Sequence, residues 1–202
     1  MNHVRQLILA IAIPTVLSAT AEAQGPGRPT AGIFAGFAVP NGAFKQEVGN
    51  GWLAGGLIKL RAYGPLDVRI DGTYVKFGSK DLAVSEATVA TDASMIFGTL
   101  NVLLNMGPDS AAYPGDNSVS PYLIAGAGSY QLEYDWACEG QCTQFIFPGR
   151  RTHAGFNAGF GATVPFLGIR TFAEGRYHRI FRDVGDGGSQ SMILISAGVK
   201  IR

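Results

Sequence analysis

The sequence predicts an all-β fold: one eight-stranded antiparallel up-and-down transmembrane β-barrel. Three observations predict it. Segments of about 9–16 residues alternate apolar and polar residues with a period of two. Strands of soluble proteins usually run about 5–6 residues, whereas tilted strands that cross a membrane need about 9–11. The polar face of these segments carries glycines, small residues and opposite charges at mid-strand, which suits a crowded lumen, and the connections alternate between tight and long.

The composition agrees. The 202 residues suffice for one ordinary domain. Hydrophobic residues make up 47%, which excludes a disordered chain, and the 28 glycines follow no strict three-residue period, which excludes collagen. Charged residues are 15%, against about 25% in an average soluble domain. A formal net charge of +1 excludes a strongly basic nucleic-acid binder. Two cysteines exclude a disulfide-dense scaffold and a four-cysteine zinc site.

The first segment is an export signal. Residues 1–23 place His3 and Arg5 ahead of an apolar stretch from Leu7 to Leu17, followed by Ala21-Glu22-Ala23 as a small-x-small cleavage site. That stretch is too short to span a membrane and contains Pro14. Residues 24–30 form a short linker, and residues 31–202 form the barrel domain.

Eight strands are expected at 31–39, 51–63, 65–77, 94–105, 119–134, 151–164, 169–181 and 190–202. In the third, Leu66, Val68, Ile70, Gly72 and Tyr74 share one face and Asp67, Arg69, Asp71 and Thr73 the other. In the sixth, Ala154, Phe156, Ala158, Phe160, Ala162 and Val164 oppose His153, Gly155, Asn157, Gly159, Gly161 and Thr163. In the seventh, Ile169, Thr171, Ala173, Gly175 and Tyr177 oppose Arg170, Phe172, Glu174 and Arg176. In the eighth, Ile193, Ile195, Ala197, Val199 and Ile201 line up. Apolar faces turned to lipid require a closed barrel, because only closure pairs every backbone group.

Tight turns are expected at 63–65 and 165–168, and long polar loops at 40–50, 78–93, 135–150 and 182–189. With a periplasmic N-terminus the long loops are extracellular. They carry Lys45, Lys80, Arg150 and Arg182 against Glu47, Asp81, Glu86, Asp92, Asp135, Glu139, Asp183 and Asp186, so they are acidic while the chain is not. The connection 106–118 is long although it falls on the tight-turn side.

This arrangement over residues 31–202 resembles the small outer-membrane β-barrel family, the eight-stranded barrels similar to the membrane domain of outer membrane protein A. The last strand carries the most specific part: Ser196 and Gly198 match the polar and glycine slots of the family's assembly signal, with Ile201 where the first aromatic stands. The resemblance implies a bacterial outer-membrane location, outer-membrane lipid and lipopolysaccharide as surroundings, and the barrel-assembly machinery as a partner in biogenesis.

Lys59, Arg61, Asp67, Arg69, Asp71, Glu133, Arg170, Glu174 and Arg176 are assigned to the lumen, where opposite charges neutralise one another. Eight strands leave an interior just wide enough for side chains, which favours a plug over a water-filled path. Tyr74 and Lys76, and Tyr177 and Arg179, repeat an aromatic followed two residues later by a base on the lipid side. Rings of this kind sit at membrane interfaces, and the bases Lys76 and Arg179 then meet lipid phosphate.

Cys138 and Cys142 fall in the loop 135–150 and are expected to form a disulfide after export. They lack the C-x-x-C spacing and the nearby histidine that a redox or zinc site uses. His153 and His178 fall on the inward face as hydrogen-bonded lumen residues; neither begins the His-x-Ser of barrel-shaped lipid A deacylases. The G-x-x-x-G of Gly155 and Gly159 belongs to a strand, since Gly161 and Pro165 interrupt any helix there. No phosphate-binding glycine loop or paired carboxylate site is recognisable, so neither a cofactor nor an enzyme activity is expected.

The function expected is a non-catalytic structural or surface-exposed role in the outer membrane. Two alternatives stay open: a narrow small-solute pore, and a soluble lipocalin-like barrel that binds a small apolar ligand.

Overall fold

Strand follows strand along the chain in an unbroken antiparallel order. The structure, a computed structural model, describes residues 29–84, 87–107, 119–139, 151–166, 168–182 and 188–201, with the backbone alone at 80–84, 87–92 and 135–139. The elements are β1 (Thr30–Asn41), α1 (Phe44–Glu47), β2 (Gly51–Tyr63), β3 (Leu66–Phe77), β4 (Lys80–Val84), β5 (Ala87–Asn105), β6 (Ser120–Glu139), β7 (Arg151–Phe166), β8 (Ile169–Ile180) and β9 (Gln190–Ile201). β1 pairs with β9 from Ala31 opposite Ile201 to Asn41 opposite Ser191, and this pairing closes the sheet. β3 pairs directly with β5 up to Lys76 opposite Ser94, and β4 extends the sheet beyond that point by pairing with β5 alone. The closed ring therefore has eight members: β1, β2, β3, β5, β6, β7, β8 and β9.

Tight turns join β2 to β3 and β7 to β8, and each needs a left-handed residue. Gly64 takes φ 57 and Gly168 takes φ 78, a region costly for any residue with a Cβ. These turns define one end of the barrel, which also carries the connection from Asn105 to Ser120; the opposite end carries the connections β1–β2, β6–β7 and β8–β9.

Alternation is realised on every wall. Asp67, Arg69, Asp71 and Thr73 are buried, while Ile70 and Tyr74 between and beyond them are exposed. The outer face carries Ile33 and Phe37 of β1, Trp52 and Ile58 of β2, Ile96 and Leu100 of β5, Phe156 and Phe160 of β7, and Ile193 and Ile195 of β9, all exposed. A belt of large apolar side chains on all sides is foreign to a soluble monomer, whose apolar patches rarely exceed a few hundred Å².

The lumen is filled by aromatic rings fitted over inward glycines. A Cβ on Gly55 would fall 2.5 Å from the Phe34 ring, on Gly161 2.6 Å from Tyr122, on Gly155 2.7 Å from Tyr130, and on Gly198 2.7 Å from Phe172. Gly155 and Gly161 of β7 are thus space for rings from β6, Gly159 lies against Arg176 of β8, and the segment is a strand.

Several boundaries differ from the sequence expectation. The loop 40–50 contains the helical turn α1, because Phe44 finds an apolar seat in the barrel mouth. Much of 78–93 is strand, as β4 and the start of β5 pair with each other, and β6 runs on to Glu139 by pairing with β5. Cys138 therefore stands on β6 opposite Val89, while Cys142 lies outside the described residues. The expected export signal 1–23 and most of the connection 106–118 also lie outside them.

Candidate functional site

The middle of the lumen is occupied by four charges. Arg69 and Asp71 come from β3, two residues apart and hence on the same face; Glu174 and Arg176 come from β8 by the same rule. Arg69 donates from Nη1 to Glu174 Oε2 and from Nη2 to Glu174 Oε1, both at 2.8 Å, the two-bond fork that a planar guanidinium makes with a carboxylate. Arg176 Nε lies 2.7 Å from Glu174 Oε1, and Arg176 Nη1 donates to Asp71 Oδ2 at 2.8 Å. Arg69 Nη2 closes the cycle with Asp71 Oδ2 at 3.1 Å. Each carboxylate thus meets both guanidinium groups, and the quartet is neutral.

Neutral polar groups complete the layer. Tyr122 donates to Glu174 Oε2 at 2.9 Å. Asn101 donates to Asp71 Oδ2 at 3.0 Å and accepts from Asn157 Nδ2 at 2.9 Å. All four charged side chains are almost fully buried. Charges taken this far from water are retained only when paired and hydrogen-bonded, since removing one partner strands the other.

The lumen on either side of the quartet differs in character. Toward the tight-turn end, Lys59 meets Asp67 at 2.6 Å, and Lys200 donates to Thr163 Oγ1 at 2.8 Å while facing the Tyr122 and Phe172 rings. Toward the other end, the Tyr130 hydroxyl and His178 Nδ1 are 2.9 Å apart, and Phe97 stacks on Tyr130 at 4.9 Å. Beyond them Val75, Phe77, Met95, Leu132, Ile180 and Met192 are buried in an apolar cluster. His178 is the hydrogen-bonded lumen residue that the alternation implies.

Eight of the nine residues assigned to the lumen have the inward parity of their strands. Arg61 is opposite Asp67 in the β2–β3 register and Arg170 is opposite Lys200 in the β8–β9 register, both near the tight-turn end. Glu133 is the correction. It is exposed on the outer face, because β6 points Tyr130, Leu132 and Tyr134 the other way. In the outward row it stands opposite Ser94, which in turn stands opposite Lys76. Sequence reasoning missed Phe34, Leu53 and Leu57, apolar residues that face inward, while Phe172 lies on the inward face expected for it. Gly55, opposite Phe34, is the signal that could have found the first of them.

Tyr74, Lys76, Tyr177 and Arg179 all have outward parity. Trp52 stands opposite Lys76, and its ring lies 5.6 Å from that of Tyr74. Phe156 stands opposite Arg179, with its ring 5.8 Å from that of Phe181. In the ring of eight strands, β3 and β8 lie on opposite walls, so the two bases serve separate patches of surface. Among the described residues, no three His, Cys, Asp or Glu side chains gather in a group that could hold a metal ion.

No protein-family model matches the chain, and no curated protein sequence matches it. Solved structures do. Neisserial surface protein A (NspA) matches with a TM-score of 0.59 at 17% identity, over 88% of this chain and 99% of that one. A major outer membrane protein from Thermus thermophilus matches with a TM-score of 0.51 at 11% identity, over 86% of this chain and 99% of that one. The chain therefore has the fold of the eight-stranded outer-membrane β-barrels.

Proposed function

We propose that the protein is a non-catalytic component of the bacterial outer membrane whose barrel is closed through its lumen, with a structural or surface-exposed role in the envelope. The observation that carries this reading is the inversion of its two faces: ion-paired charges lie inside and large apolar side chains lie outside on every wall. A soluble ligand-binding barrel has the opposite arrangement. A pore is disfavoured by two successive blocks, the neutral charge quartet and the apolar cluster beside it.

The surroundings follow from the same geometry. Tyr74 with Trp52, and Phe156 with Phe181 on the wall that carries Tyr177, form aromatic patches at the margin of the apolar belt, where a ring finds one apolar and one wet neighbour. Lys76 and Arg179, one step further out, are the contacts for lipopolysaccharide phosphate. The barrel-assembly machinery is the partner in biogenesis, through the β9 signal that includes Ser196 and Gly198. Loops at the long-loop end are the surface offered to the cell's exterior, with Cys138 at the adjoining end of β6 bridged to Cys142.

Membrane fractionation combined with heat-modifiable gel mobility tests the reading. The protein is expected in the outer-membrane fraction and to migrate faster unheated than boiled. Recovery in a soluble fraction without detergent would overturn it.

A further inference from the structure

The connection between β1 and β2 does not stand away from the barrel. Its helical turn α1 lies in the long-loop mouth, with Phe44 and Val48 fully buried. They belong to the same apolar cluster as Phe77, Met95, Leu132, Ile180 and Met192. The Phe44 and Phe77 rings meet edge to face at 5.1 Å. The other side of the turn is wet: Lys45 and Gln46 are exposed.

This turn has little stability of its own. It is four residues long, and Ala43 at its N-cap gives no side-chain hydrogen bond. Short helices in water are unstable because nucleation is unfavourable, and an uncapped start leaves backbone donors unsatisfied. Besides the buried Phe44 and Val48, the Glu47 carboxylate fastens it to the rim. Glu47 Oε2 accepts from the Tyr134 hydroxyl at 2.7 Å and from Gln190 Nε2 at 2.8 Å, and Arg182 Nη1 lies 3.5 Å away. These donors come from β6, β9 and the segment after β8, so a single side chain ties the turn to three parts of the rim.

The flanks define where such a segment can move. Gly42 is exposed and takes φ 60, with only Ser191 Oγ, at 4.0 Å, near its missing side chain. On the far side, Gly49 donates to the Gly78 carbonyl and Gly78 to the Asn50 carbonyl, each at 3.0 Å, which clamps the chain to the end of β3. The stretch between these points is held by side chains alone at the mouth.

We propose that residues 42–48 are a lid over an apolar upper lumen, latched shut by Glu47 and able to swing between Gly42 and the Gly49–Gly78 clamp. Opening lifts Phe44 and Val48 out of their seats and leaves a recess beside Phe77, Met95, Leu132, Ile180 and Met192 that takes an apolar ring or chain. The charge quartet deeper in the lumen stays in place, so the opened lid gives a blind pocket and not a channel. The inference thus goes beyond the closed-lumen role.

Lys45 makes the lid testable, because it offers trypsin a site within the moving segment. The folded full-length barrel in detergent, with heat-modifiable mobility as the check of folding, is treated with trypsin and the cut after Lys45 is followed by mass spectrometry. Glu47→Ala is expected to speed that cut roughly tenfold, the scale set by losing one or two net hydrogen bonds. The same variant is expected to raise the fluorescence of added N-phenyl-1-naphthylamine above that of the native barrel. Phe44→Ala, which empties the seat and leaves the latch, is expected to raise the fluorescence as well. A folded Glu47→Ala barrel cut at the native rate overturns the latch, and failure of both variants to bind the dye overturns the recess. If Glu47→Ala does not fold, Glu47→Gln decides by the same two readouts: it keeps an acceptor for Tyr134 and Gln190 but loses the charge facing Arg182.

Discussion

Arg69 of β3 holds Glu174 of β8 by two parallel hydrogen bonds of 2.8 Å across the lumen. The two strands lie on opposite walls of the eight-membered ring, so this fork ties the barrel together through its middle. Neighbouring strands are already joined by backbone ladders; the fork adds a connection that no ladder supplies. Its geometry also explains why the charges stand at mid-strand, where the walls of a narrow barrel are bridged by one long side chain and one shorter one.

Glu174→Ala is therefore expected to lower stability. It removes the acceptor shared by Arg69, Arg176 and Tyr122 and leaves both arginines with Asp71 alone. Breaking a buried pair from one side typically costs about 3–5 kcal/mol. A urea unfolding curve in detergent or lipid should show an earlier midpoint, and an unchanged midpoint would count against the network.

Inward and outward glycines are expected to respond oppositely to the same substitution. A methyl group on Gly161 would sit 2.6 Å from the Tyr122 ring, whereas one on Gly72 would meet nothing within 4 Å. Gly161→Ala should cost about 1–3 kcal/mol through overpacking. Gly72→Ala should be neutral or stabilising by about 0.4–1 kcal/mol through the unfolded chain. Parallel unfolding curves check the contrast, and equal effects at the two sites would contradict the assignment of faces.

Replacing Lys76 and Arg179 together with Glu is expected to weaken co-purification with lipopolysaccharide. It should also lower stability in mixtures containing anionic lipid while leaving neutral mixtures unaffected, since only the former offers phosphate charge in excess. Equal stability changes in both mixtures would show that the two bases act through the protein alone.

Much of the barrel was legible because a period of two has one geometric meaning: successive side chains point to opposite faces. That period locates β3, β7, β8 and β9 within a residue or two of their ends and assigns Arg69, Asp71, Glu174 and Arg176 to the lumen, where all four are buried. It does not say which face is inside when both faces are apolar. In β2, Leu53 and Leu57 face inward while Trp52, Ile58 and Leu60 face outward, and hydropathy cannot separate them. Charge misled at Glu133 for a related reason. The β6 lumen face is built from the even-numbered Tyr122, Ile124, Tyr130 and Leu132, so Glu133 takes the outer face. The α1 lid was not legible at all, because its seat is assembled from β3, β5, β6, β8 and β9 and leaves no local periodicity in residues 42–48.

The central claim, a lumen closed by the quartet and the apolar cluster beside it, is tested most directly by single-channel recording of the purified, folded native protein in planar lipid bilayers. The account predicts a quiet baseline, with no unitary current steps at neutral pH and moderate voltage. Steady, uniform current steps that scale with the amount of protein would contradict it.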